Sequence, residues 1–248
     1  KLTKSFGGED PKEAPLKVAE ATKANIDKMK EVMPLISCLC NPGLRDRHWK
    51  AISEALGFEL SSSDSSSFRQ LLRLQVADKI EVLTELSEGA SKEYSLEKTL
   101  DKMLSEWAPL EFEISLYRET GTYILKGGPV DEAQMLLDDH IIKTQSMGAS
   151  PSAKPFEDRI KDWGRRVTAM QDIIDEWLKV QSVWLYLEPI FGSEDIMQQM
   201  PTEGAAFKEV DQAWRGIMSE TKEKPAMLAT ADRAGLLETL RESNAKLD

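Results

Sequence analysis

Apolar residues recur along most of this chain at helical spacing. Ile26, Met29, Met33 and Ile36 follow i, i+3, i+7, i+10, the spacing of one helix face. Pro34 falls within that stretch and is expected to interrupt and kink it, because proline removes a backbone donor. Asn41–Pro42–Gly43 reads as a turn. A second helix follows, with Trp49, Ile52 and Leu56 on one face and Gly57 where a C-cap is expected. Residues 61–67 read SSSDSSS, a flexible low-complexity loop or, functionally, a phosphorylation target. Helices then resume, with Val76, Ile80 and Leu83 on one stripe and Leu96, Leu100, Met103, Leu104 and Trp107 on another.

After Pro109 the period changes from 3.6 to 2. Phe112, Ile114 and Leu116 alternate with Glu111, Glu113 and Ser115, and Arg118–Glu119–Thr120–Gly121 precedes Thr122–Tyr123–Ile124–Leu125. This predicts a β-hairpin with a glycine-containing loop. A two-stranded hairpin is marginal alone, so it should pack on helices or another domain. Gly127–Gly128–Pro129 is expected to break the strand and open a helix near 131–146, with Leu137 and Ile141 inward and a loop from Gly148 to Pro155. From Phe156 to Phe191 the pattern is a single long helix, roughly 50 Å at 1.5 Å per residue. Trp163, Val167, Met170, Ile174, Trp177, Gln181, Trp184, Glu188 and Phe191 form one stripe, and Ile173, Val180, Leu187 and Ile190 a second beside it. A helix apolar on two sides is contacted by two neighbours, as in a three-helix bundle. Pro189 should bend its last turn. A short helix follows Gly192, then one carrying Phe207, Val210, Trp214 and Ile217. Pro225 breaks the chain before a last helix with Leu236, Leu237, Leu240 and Leu247.

These elements predict a mostly α fold, an elongated array of antiparallel helical bundles with one small β-hairpin insertion. Residues 1–15 read as a flexible lead-in, 16–110 as a first helical subdomain, 111–130 as the hairpin and break, and 131–248 as a second helical part. The chain begins at Lys1 rather than methionine, so it is expected to be a piece of a longer protein.

Charge narrows the partners. The net charge of -11 and the absence of a basic stripe argue against nucleic acid. No run of about 18 uncharged apolar residues is present to span a membrane, and the start lacks the apolar region of a signal peptide. Cys38 and Cys40 are two residues apart, a spacing that strains a disulfide, and read as thiols in a reducing compartment.

Chemistry is sparse. No phosphate-cradling GxxxxGK[ST], no GxGxxG after a strand, no HExxH and no GxSxG occurs. Asp138–Asp139–His140 could suggest a base or a metal ligand, but neighbours on a helix diverge by about 100°, and a capping or surface role is expected. The tryptophans sit at apolar helical positions, the places of core packing rather than of an aromatic ligand box.

Particular strings go further. WLKVQSVWLYLEPIF at 177–191 supplies Trp177, Val180, Gln181, Trp184, Tyr186, Leu187, Glu188, Ile190 and Phe191. It continues into Asp195–Ile196, MPTE at 200–203 with Pro201 and Glu203, then Phe207, Val210–Asp211, Trp214 and Ile217–Met218. In this order they resemble the signature of the linker region of dynein heavy chains. MPLI at 33–36, NPGLRDRHWKAI at 41–52, KEYSLEKTLDKMLSEW at 92–107 and LDDHI at 137–141 with Ser146–Met147 resemble its other motifs. The resemblance runs from Met33 to Met218. WLYLEPIF and DIMQQMP are closer to the axonemal branch, and to the single-headed inner-arm type within it, than to the cytoplasmic branch.

The resemblance implies a curved helical rod that joins the dynein tail to a ring of six AAA+ modules. ATP binding in the ring would bend the rod, and its straightening would deliver the stroke along microtubules. The expected partners are the AAA+ ring of the same heavy chain, the tail and, indirectly, microtubules, with no nucleic acid and no membrane. The expected setting is the cytoplasm and cytoskeleton, at the axoneme of a cilium or flagellum. No catalytic residue, cofactor or metal site is expected in this segment, ATP and Mg belonging to the parent motor. Trp163 and the signature residues would form the linker core. Asn41, Pro42, Arg45, Arg47, His48 and Trp49 are a candidate docking patch for ring or tail, with Arg and His simply capping and packing the turn as the equal alternative. Leu116, Tyr117, Arg118, Glu119, Thr120, Gly121 and Tyr123 form a candidate ring-contacting or bend-bracing hairpin, and the breaks at 127–129 and Gly192 are candidate joints. The competing readings are a passive helical scaffold that recruits protein partners, although no internal repeat near a hundred residues is seen, and a helical enzyme with an unfamiliar site.

Overall fold

A computed structural model of the chain describes Lys4 and residues 13–61 and 79–247. The lead-in before residue 13 (Lys4 apart), the serine-rich stretch after Ser61, and Val76 lie outside the described residues. The chain divides into two compact units, one ending at Leu96 and the other beginning at Glu97. The division falls inside a helix, α3 (Ile80–Trp107).

The first unit contains α1 (Glu13–Leu39), α2 (Asp46–Leu56) and the N-terminal part of α3. Its core gathers Leu35, Cys38, Leu44, Ile52, Leu60, Leu83 and Ala90, with Trp49, Leu56 and Ile80 packed against it. Pro34 does not end α1, which continues to Leu39. Burial of Leu35 and Cys38 fastens the turns beyond the proline and offsets the one lost hydrogen bond. The stripe expected on α1 is not a core face: Ile26, Met29 and Met33 are 49%, 66% and 51% exposed. Gly57 closes α2 as expected, at φ 80°, donating its N–H to the Ser53 carbonyl 2.9 Å away.

The second unit holds the rest of α3, strands β1 (Ile114–Leu116) and β2 (Tyr123–Leu125), α4 (Gly127–Gly148) and a 3-10 turn (Pro151–Phe156). It continues with α5 (Glu157–Phe191), α6 (Glu194–Gln199), α7 (Pro201–Glu223), α8 (Met227–Ala231) and α9 (Leu236–Leu247). The strands pair antiparallel, Ile114 with Leu125 and Leu116 with Tyr123. Gly127–Gly128–Pro129 is the first turn of α4 rather than a break before it, since a proline near a helix start has no intrahelical acceptor to miss. The loop expected from Gly148 to Pro155 is mostly the 3-10 turn, begun by Ser150, whose Oγ accepts from the Ser152 N–H.

The long helix is present as one element of 35 residues, Pro189 included. It packs against α4, α7, α8 and α9, which explains its two stripes. Trp107, Trp163, Trp177, Trp184 and Trp214 are all buried, as the core reading of the indoles expects.

Candidate functional site: the long helix and the hairpin it holds

Part of the signature of residues 177–218, namely Trp177, Gln181, Trp184, Asp211 and Trp214, builds the seat of the hairpin on α5 and α7. Trp177, wholly buried, meets Phe112 at the hairpin root with ring centroids 5.2 Å apart. One helical turn on, the Gln181 amide acts as a substitute strand. Its Oε1 accepts from the Leu125 N–H at 2.7 Å and its Nε2 donates to the Leu125 carbonyl at 3.2 Å. That satisfies the outer edge of β2, which would otherwise leave a donor and an acceptor unpaired. Gln181 was expected on an apolar stripe; it is the polar position of that stripe because a strand edge abuts it.

Trp184 lies one turn further. Its ring packs edge-on against Tyr117, at 5.3 Å, and is stacked on Trp214, at 5.5 Å. Its indole N–H donates to Asp211 Oδ1 at 3.0 Å. Asp211 Oδ2 accepts from Arg215 Nε at 2.8 Å, and Arg215 Nη1 reaches the Thr120 carbonyl in the hairpin loop at 2.7 Å. A relay of three hydrogen bonds thus runs from the long helix through α7 to the hairpin tip. Lys222 of α7 adds a bond to the Tyr123 hydroxyl at 2.5 Å, with its ammonium 4.7 Å from the ring centroid. At the base, Phe112 donates to the Pro225 carbonyl at 2.8 Å and Met227 to the Leu110 carbonyl at 2.9 Å.

The loop itself is tight. Tyr117 donates to the Thr122 carbonyl at 3.0 Å, and Arg118 adopts a left-handed conformation, φ 47°, that non-glycine residues rarely take. Its guanidinium lies over the Tyr117 ring, 5.0 Å from the centroid. Gly121, at φ 74°, takes the other left-handed position. Leu116 is 64% exposed, against the strict alternation expected of the strand. Phe112, four residues earlier in the same alternation and ahead of β1, is buried against Trp177, whereas Leu116 at the far end of β1 stands outward.

Not all signature residues join this seat. Val180 is buried, Leu187 and Glu188 are half-buried, and Tyr186 and Ile190 are exposed at 71% and 37%. Phe191 stacks on Phe207 at 5.2 Å. Asp195 is exposed, Ile196 is half-buried, and Pro201 and Glu203 stand exposed in the first turn of α7, where proline and a carboxylate both suit a helix start.

In the first unit, the Asn41–Pro42–Gly43 turn is bonded tightly to α3. Asn41 Nδ2 lies 2.7 Å from the Ser87 carbonyl, 2.8 Å from Ser87 Oγ and 2.7 Å from Ser91 Oγ, while its Oδ1 accepts from the Gly43 N–H. A Cβ on Gly43 would sit 2.5 Å from the Ala90 carbonyl oxygen, so only glycine permits this approach. His48 is buried. Its Nδ1 accepts from the Arg45 N–H at 3.0 Å and its Nε2 faces Glu93 at 3.0 Å; Arg47 pairs with the same carboxylate. Arg45 lies over Tyr94 at 5.6 Å. These are the contacts of the capping and packing alternative. Burial lowers the pKa of His48 against the opposing pull of Glu93, which favours the neutral ring.

His140 corrects the surface role expected for Asp138–Asp139–His140. The two carboxylates are exposed, but His140 is wholly buried. Its Nδ1 accepts the Trp107 indole N–H at 3.0 Å, its Nε2 stands 3.1 Å from Glu106, and the Trp163 ring lies 6.2 Å away. This is the neutral tautomer with the proton on Nε2, and burial lowers its pKa. The helical period could have found it, since His140 shares a face with Ala133, Leu137, Thr144 and Met147. Among the described residues no three His, Cys, Asp or Glu side chains converge as a metal site would require, and no helix is long and apolar enough to cross a membrane.

Residues 1–248 match the family model described as dynein heavy chain, N-terminal region 2. The chain is 44% identical over 235 residues to a protein named dynein axonemal heavy chain 3 from Homo sapiens, covering 95% of the chain and 6% of that relative. It is 51% identical over 205 residues to dynein axonemal heavy chain 12 from Homo sapiens, covering 83% and 7%, and 43% identical over 231 residues to dynein axonemal heavy chain 1 from Rattus norvegicus, covering 93% and 5%. It therefore spans only a small fraction of the length of the relatives it matches. A full-length match to the family model and this identity to axonemal members together mean that the chain belongs to the dynein heavy chain family, as its N-terminal region 2 of axonemal type.

Proposed function

We propose that this chain is a load-bearing part of the dynein linker, the lever that joins the tail to the AAA+ ring. ATP binding in the ring remodels the lever, and its return delivers force along microtubules. The observation that carries this reading is α5: 35 residues without a break, its indoles buried, with neighbouring helices packed along it. At 1.5 Å per residue it is about 50 Å long. A close-packed interior resists deformation and transmits strain, as a lever must. In this reading the chain holds no catalytic group or cofactor of its own, and ATP and Mg act elsewhere in the heavy chain. The motor works in the axoneme of a cilium or flagellum, as an inner-arm type.

The hairpin is the element we assign to contact with the ring or to bracing of the bend. Its root is fastened by Phe112, Gln181 and Tyr117, while Leu116, Arg118 and Glu119 stand outward. The Asn41–Trp49 turn is a second candidate contact through the exposed Pro42 and Arg47.

The test is an intact motor carrying Trp177→Phe or Trp184→Phe, assayed for ATP turnover and microtubule gliding together. A lever predicts slowed gliding with ATP turnover retained. Unchanged gliding from both variants, in a motor whose ATPase is normal, refutes the lever and favours a passive scaffold.

A further inference from the structure

The helix α4 carries two faces that its fold does not treat alike. Val130, Ala133, Leu137, His140, Thr144 and Met147 are buried. On the opposite side, Met135 and Ile142 are 75% and 67% exposed. They are seven residues apart, hence on one line along the helix with about 10 Å between them. Asp131, Glu132, Asp138 and Asp139 flank that line within about 60° to either side, and all four are exposed. The cations nearest this face are Lys143, about 80° round the helix and held by Asp139 at 2.5 Å, and Lys102 of α3, which acts on the same carboxylate, so that Asp131, Glu132 and Asp138 carry the charge argument. A solvated helix face needs its charges but gains nothing from large apolar side chains standing among them.

From this arrangement we infer that the outer face of α4 is a docking surface for a basic amphipathic helix belonging to a separate polypeptide. The occupant follows from complementarity. A heptad-spaced pair of apolar side chains on the partner meets Met135 and Ile142, whose spacing is already that of one heptad. Lysines or arginines on either side of that pair face the carboxylates of Asp131 and Glu132 at one end and Asp138 at the other. An acidic or neutral partner helix would bring like charges together or leave these carboxylates uncompensated where they lose water. The surface is distinct from the hairpin and from the Asn41–Trp49 turn, and it does not depend on the lever reading.

The test uses the full-length heavy chain and a designed fluorescent helical peptide of about 20 residues, with leucines at heptad spacing and lysines beside them. Anisotropy should show binding in about the micromolar range that weakens with salt. Met135→Ser with Ile142→Ser should weaken it about tenfold or more, and so should Asp131→Lys with Asp138→Lys. A second peptide with glutamates in place of the lysines should bind the charge-reversed heavy chain and not the native one, a rescue that a merely unfolded variant would not give. Equal affinity for native and both variant chains would overturn the inference, as would equal binding by a lysine peptide whose leucines are replaced by serine. Absence of binding up to about 1 mM would overturn it too, leaving the face bare or already covered by the heavy chain itself.

Discussion

His140 makes the stability of the second unit sensitive to acid in a way that can be worked out beforehand. The folded state holds the ring neutral, with Nδ1 taking the Trp107 indole proton and Nε2 facing Glu106. Protonating Nδ1 would abolish that bond and set two donors against each other in a site without solvent. Burial is the largest influence on the ring and lowers its pKa below 6.5; Glu106 and Asp139 pull upward and Lys143 downward, without reversing the direction. Since the unfolded ring takes a proton more readily than the folded one, the stabilisation is full above pH 6.5 and is lost as pH falls below it. Between pH 7.5 and 5.5 the loss reaches up to about 1.4 kcal/mol, the value for one proton taken up by the unfolded chain alone. His140→Phe keeps a ring but orphans the indole N–H. It should cost about 1–3 kcal/mol at pH 7.5 and remove this part of the acid sensitivity. Urea unfolding followed by tryptophan emission is the assay, because five of the six tryptophans belong to the second unit. The stability difference between native and variant chains should shrink as pH falls. A difference that stays constant from pH 7.5 to 5.5 refutes the neutral, bonded ring.

Gly43→Ala should destabilise the first unit by about 1–3 kcal/mol or more, since its Cβ would meet the backbone of Ala90, whereas Gly89→Ala on α3, with nothing within 4 Å, should stabilise by about 0.5–1 kcal/mol. Hydrogen exchange of α3 amides would show the two opposite signs. Asp211→Ala leaves the Trp184 indole N–H buried without an acceptor and frees Arg215, so a loss of about 1–3 kcal/mol is expected, with faster exchange at the hairpin tip around Thr120. Gln181→Leu keeps the volume but unpairs the edge of β2; amide exchange at Leu125 should accelerate at least about tenfold while the α5 amides near Trp177 stay protected.

Although the second stripe of the long helix runs out at the half-buried Leu187 and the exposed Ile190, the spacing of apolar residues was enough to place that helix, the hairpin, the Gly57 cap and the burial of the five indoles. Each rests on local geometry, 3.6 or 2 residues per period, or on one residue's backbone freedom. Order of motifs in the chain was likewise enough to point to the dynein heavy chain family. What the sequence could not decide was which polar residue meets which. Gln181 reads as an interruption of a stripe until a strand edge lies beside it, and the spacing that puts His140 on the buried face does not say that Trp107 and Glu106 of another helix are its partners. Pro34 and the 127–129 segment read as breaks, although burial beyond the one and a helix start at the other absorb the missing donors. The α1 stripe reads as core, yet it faces outward. Helical periodicity is a property of a short window, whereas hydrogen-bond partners 27 to 95 residues apart, such as Trp184 with Asp211 and Arg215 with Thr120, are fixed only when the packed elements bring them together.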